Sequence, residues 1–161
     1  MSPDLSVNIF VGCPQTISRL PAGPCLLLDG NAELIKSLGL QLMALDHPWP
    51  IELQQAVLSS QDQESVVWNQ FSDPRFDGPW SLEDWRESEF NLELSRQDHL
   101  DASSLECILS SSEILGDDQY SFPLTLYFRQ GNPIDILRGC GEWMVKFETI
   151  LFRYPRALPL P

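Results

Sequence analysis

Two groups of residues in this sequence are of the types that do chemistry. The first is Gly139-Cys140-Gly141, which precedes an apolar periodic segment. A thiol at a helix start has its thiolate stabilised by the end dipole, and flanking glycines let backbone amides approach a developing oxyanion. A thiol enzyme built on Cys140 also needs a base, and His47 and His99 are the only histidines. No spacing ties either of them to Cys140. The second group is acidic: residues 62–118 hold fifteen Asp and Glu against three Arg, a net charge of −12 in a chain whose total is −13. Within this stretch Glu83, Asp84, Glu87 and Glu89 lie among Trp80, Trp85 and Phe90. Aromatic anchors ringed by charge are the arrangement of a binding hot spot, so these seven residues are the expected contacts for a partner.

Other chemistries find little support. No G-x-S-x-G, G-x-x-x-x-G-K-[ST] or G-x-G-x-x-G occurs. Cys13, Cys25, Cys107 and Cys140 show no C-x-x-C spacing, there is no H-x-x-x-H, and no acidic loop has calcium-binding spacing. No cofactor or metal is therefore expected, and the cysteines read as free, mostly packed thiols. Adjacent carboxylates such as Glu83-Asp84 and Asp117-Asp118 read as cap and turn residues, since acid–base pairs require convergence in space.

Composition narrows the classes further. The chain has 161 residues, 43% of them hydrophobic, with five Trp and eight Phe, enough for a core. Only two lysines, Lys36 and Lys146, accompany a pI near 4.3. A phosphate-tracking surface needs dense cations, so direct nucleic-acid binding is not expected. The longest apolar runs fall well below the ~18–20 residues that span a bilayer. The first residues lack the basic start and apolar core of a secretory signal, which points to a cytoplasmic protein.

The elements that would position these groups follow from periodicity. Residues Val7–Val11 and 25–28 read as short strands, and Asn31 caps a helix with Leu34, Ile35, Leu38, Leu42 and Leu45 on one face. A short helix is expected over 51–59, a strand over 64–71, a short helix over 82–86 and a half-buried strand over 90–94. Residues 101–115 mix helix and strand signals, with helix favoured. Residues 122–128 read as a strand, Gln130-Gly131-Asn132-Pro133 as a turn, and 134–137 as the return strand of a hairpin. Trp143, Met144, Phe147, Ile150, Leu151 and Tyr154 make the stripe of a helix over 142–154, with a strand as the alternative. Residues 155–161 are a Pro-rich extended tail.

The fold expected from this pattern is α+β: a single domain over residues 1–161, with a mostly antiparallel sheet covered by two or three helices. The expected function is a non-enzymatic acidic module that docks on a basic partner protein and masks or escorts it, in the manner of an immunity protein, a chaperone or a nucleic-acid mimic. The alternatives are a thiol-dependent enzyme using Cys140 and a structural subunit of a larger assembly. The sequence does not fix an oligomeric state.

Overall fold

The computed structural model describes residues 5–72, 76–78 and 93–152. Its centre is a five-stranded sheet built from β1 (Val7–Val11), β2 (Cys25–Asp29), β3 (Ile51–Gln55), β7 (Leu124–Phe128) and β8 (Phe147–Phe152). The strands lie in the order β3-β2-β1-β7-β8, and every neighbouring pair is parallel. Between β3 and β7 the chain makes a separate three-stranded sheet from β4 (Val57–Ser59), β5 (Gln63–Phe71) and β6 (Leu94–Ser104). In it β6 runs antiparallel to β5 and parallel to β4.

Helices cover both faces of the parallel sheet, so its strands must be apolar on both sides. Ile9, Val11, Leu26, Leu28, Leu126 and Phe128 point one way, against Leu105, Ile108 and Leu109 of α2 (Leu105–Ser111) and Ile136 of α3 (Pro133–Arg138). Phe10, Cys25 and Leu27 point the other way, against Ile17 and against Leu34 and Leu38 of α1 (Ala32–Ala44). Asn31 caps α1 by accepting from the Leu34 amide at 3.1 Å, as expected from sequence. Residues 5–6 and the loop before β2 are tied in by Asn8, whose amide donates to the Ser6 and Ala22 carbonyls.

This α/β architecture overturns the expected α+β fold with a mostly antiparallel sheet. The runs Val7–Val11 and Cys25–Asp29 are buried at every position, which is the mark of a parallel strand between two helical layers. The expected hairpin after residue 128 is also incorrect. Pro133 occupies the first turn of α3, and Asn132 caps it by accepting from the Ile134 and Asp135 amides at 3.1 and 3.2 Å. The turn signal therefore opens a helix instead of reversing a strand.

Three further elements differ from expectation. Residues 51–59 form β3 and β4, because Ile51 through Gln55 find complete pairing along β2, which outweighs the weak helical tendency of so short a segment. Residues 101–115 divide at Ser104, which ends β6 and caps α2 by accepting from the Cys107 amide at 3.2 Å. Residues 142–154 hold a 3-10 turn over Gly141–Val145 and then β8, in keeping with the strand alternative. There Phe152 stacks on Phe128 with ring centroids 5.4 Å apart. The expected helix over 82–86, most of the strand over 90–94 and the tail over 155–161 lie outside the described residues.

Candidate functional site

In an open parallel sheet the chain diverges where successive crossovers run to opposite sides, and the crevice beyond the strand ends at that point is where ligands bind. Here β1 is that place: β2 lies on one side of it and β7 on the other. A glycine follows each of the three strands, directly as Gly12 after β1 and Gly30 after β2, and as Gly131 three residues beyond the end of β7.

Asp29 ties these ends together. Its carboxylate accepts from the Cys13 amide at 2.9 Å and from the Asn31 amide at 2.9 Å, with the Gln130 side chain as a further partner. The residue is 4% exposed. Burial raises its pKa above the ordinary carboxylate value, while these donors and the nearby Arg129 charge pull the other way. Gly12 makes the close approach possible. It sits at φ +93°, and a Cβ there would stand 2.7 Å from Cγ of Gln130. On the other side of Asp29, the indole of Trp68 lies against Gly30 and is 2% exposed.

Beyond this tie, on the α1 face of the sheet, opens a cleft of about 490 Å³ between residues 14–20 and Arg129, with Phe10 in its floor. Phe10 is stacked on Tyr127 at 4.3 Å between ring centroids. The 14–20 wall is held by α1: Gln41 accepts from the Ile17 amide and donates to the Gln15 carbonyl, both at 3.1 Å. Thr16 and Ser18 share a hydroxyl hydrogen bond of 2.9 Å. Among the described residues, those lining the cleft include Arg19 and Arg129 and no carboxylate. A second, water-sized void of about 20 Å³ lies on the opposite face beneath Trp68, Gln130 and Ile136.

The residues singled out from sequence lie elsewhere. Cys140 is fully buried after the end of α3, with its thiol 3.8 Å from the Ile136 carbonyl oxygen. Burial, followed by the Glu106 charge, pushes its pKa up to about 11, the opposite of an activated thiolate. His47 holds a turn through Nδ1 and the Trp49 carbonyl at 2.9 Å, and His99 is an exposed residue of β6. The structure does not join either histidine to Cys140. Cys13 and Cys25 are buried and Cys107 exposed, all of them free.

All seven expected docking residues, Trp80, Glu83, Asp84, Trp85, Glu87, Glu89 and Phe90, lie outside the described residues. Of the described acids from the same stretch, several serve the chain itself. Asp62 accepts from the Ser104 amide at 2.9 Å, Asp77 from Phe71 at 2.8 Å and Asp101 from Ser65 at 3.1 Å, and Asp98 pairs with Arg96 at 2.8 Å. Among the described residues no cluster of three or more His, Cys, Asp and Glu could hold a metal ion, and no helix is long and apolar enough to cross a membrane.

Sequence reasoning passed over Gly12, Asp29, Arg19, Arg129 and Gln130. One signal pointed to most of them: three short apolar runs, each followed closely by glycine, read as the carboxyl ends of parallel strands. The sequence matches no protein-family model, and neither a search of curated proteins nor one of solved structures finds a match.

Proposed function

We propose that this chain is a small-molecule-binding α/β module whose ligand sits at the carboxyl edge of the parallel sheet, beside β1. The observation that carries the reading is the coincidence of the divergence at β1 with a cleft of ligand size, pockets of about 300–1,000 Å³ being usual for small ligands. The Asp29 tie and the Gln41 clamp fix both ends of that cleft before any ligand arrives, which limits the ordering cost of binding. Free thiols at all four cysteines suit a reducing, cytoplasmic setting. The test is a titration of the ¹⁵N-labelled chain with a library of neutral and charged fragments. Binders are expected to shift the amides of Gly12, Cys13, Asn31, Arg129 and residues 15–20. Shifts confined to the β5–β6 ribbon, or no saturable shift at all, would sink this reading.

A second reading rests on charge alone: docking on a basic partner protein through the −12 stretch. Its carboxylates would steer a cationic surface while Trp80, Trp85 or Phe90 supplied the desolvated contact. Recovery of one predominant basic protein from a lysate of the native source identifies the partner to test. Reversing Glu83 and Glu87 to lysine is then expected to slow association about tenfold at low salt and to flatten its salt dependence. Unchanged kinetics would count against docking.

A further inference from the structure

On the face of the parallel sheet covered by α2 and α3, a void of about 20 Å³ has Trp68 and Gln130 in its wall. Trp68 is 2% exposed, and among the described residues no acceptor takes its indole N–H. The indole edge that bears Nε1 packs against the bare Cα of Gly30. The carbonyls on that side are already engaged: Gly30 accepts from Nε2 of Gln55 at 3.1 Å and Asp29 from the Ala56 amide at 2.9 Å. Gln130, also buried, presents the complement. Its side chain hydrogen-bonds the Asp29 carboxylate and favours the charged form, so the NH₂ group is the donor there and Oε1 is left over. Among the described residues no donor reaches that oxygen. One buried donor and one buried acceptor, each without a protein partner, thus border the same void. Such groups are costly to leave unmade, and in folded proteins nearly all of them find protein or water.

We infer that this void is a binding site for a single ordered water, which accepts from Nε1 of Trp68 and donates to Oε1 of Gln130. The volume of about 20 Å³ suits one molecule, the least that holds a water being about 10–15 Å³. Two polar partners meet the minimum a buried water needs, and Val11, Leu28, Leu58 and Ile136 give the rest of the wall an apolar surface. The water completes a continuous chain of hydrogen bonds. Trp68 gives to the water, the water to Gln130 and Gln130 to Asp29, which in turn holds the Cys13 and Asn31 amides. Through that chain the small sheet is bonded to the carboxyl ends of β1, β2 and β7, a bridging water serving nearly as well as a direct hydrogen bond. Gly12 leaves room for it, since a Cβ there would press on Cγ of Gln130 at 2.7 Å and push the amide from its place. The site lies on the opposite face from the cleft and does not depend on what the cleft binds.

Water-selective NOE and ROE spectra of the full ¹⁵N-labelled chain at neutral pH provide the test. Trp68→Phe identifies the Trp68 indole resonance among those of the five tryptophans. In the parent chain that N–H is expected to show a water cross-peak with the sign of dipolar contact in the ROE spectrum, opposite to the sign that proton exchange produces. In the NOE spectrum the peak should carry the sign of a long-resident water. Gln130→Met, a side chain of similar length without a comparable acceptor, should lose the cross-peak. Gln119→Met, at an exposed position far along the chain, should keep it. A parent spectrum with no water peak at this indole, or with one of exchange sign alone, would overturn the inference. So would a cross-peak that Gln130→Met leaves untouched, because the water would then be held by other groups. If Gln130→Met does not fold, the parent spectrum decides by itself.

Discussion

Replacing Asp29 by alanine is expected to lower the unfolding free energy by about 2–5 kcal/mol, since buried donors stripped of an acceptor cost about 1–3 kcal/mol each. The Cys13 and Asn31 amides and the Gln130 side chain all lose their shared partner. Urea unfolding followed by circular dichroism measures the change, and a loss below about 1 kcal/mol would show that the tie is dispensable. Asp29→Asn should fall in between, because its oxygen still serves one amide while its NH₂ group faces the other. The two chains should also diverge with pH. Burial raises the carboxyl pKa above its unfolded value of 3.8, so the folded state binds the proton more readily. The stability this group contributes is complete below the unfolded value and is lost as pH rises through the folded one. The advantage of the parent over Asp29→Asn, which cannot titrate, should therefore shrink as pH rises above the unfolded value and through the raised folded one. A constant difference would mean that the carboxyl titrates alike in both states.

Gly30→Ala should cost about 2–4 kcal/mol, the scale of overpacking a site whose neighbours cannot easily retreat. The added Cβ would stand within 2.5 Å of Nε1 of Trp68, whose ring is enclosed by Val57 and Ala102 with Val66 and Leu100 beside them. The indole seats the small sheet on the end of β2, so the strain should spread into both sheets. Combining Gly30→Ala with Trp68→Phe, a smaller ring, should cost less than the two changes summed. Strict additivity in urea unfolding would show that the ring and the glycine do not meet in the way described.

Much of this was legible along the chain, and what was not has a physical reason. Strands β1 and β2 and the capped helix α1 declare themselves locally, through apolar runs and through Asn31. Sheet direction does not, because a parallel strand differs from an antiparallel one in where its partner comes from. The hairpin expected after Phe128 failed for this reason: Asn132-Pro133 suits a turn and a helix start equally, and the pairing of β7 with β1 decides between them. In residues 142–154 aromatic and β-branched side chains fit the helical stripe and the strand alike, and the open edge of β7 favours the strand. The candidate site was hidden for a related reason. Arg19, Asp29 and Arg129 have no spacing in common; only the strand order brings their neighbourhoods together. The acidic stretch, by contrast, was conspicuous in composition, yet Asp62, Asp77 and Asp101 turn out to secure backbone amides.

The position of β1 also has a bearing on how the chain is born. Synthesis delivers β1, β2 and β3 first, so a nascent chain halted before Leu124 carries its central strand with one side still bare. The ribosome must release the entire detour through β4, β5 and β6 before the missing neighbour arrives. Such late closure of a distant pairing slows folding and prolongs exposure of sticky strand edges. The central strand of the parallel sheet is thus made well before its second neighbour and completed only when that neighbour arrives.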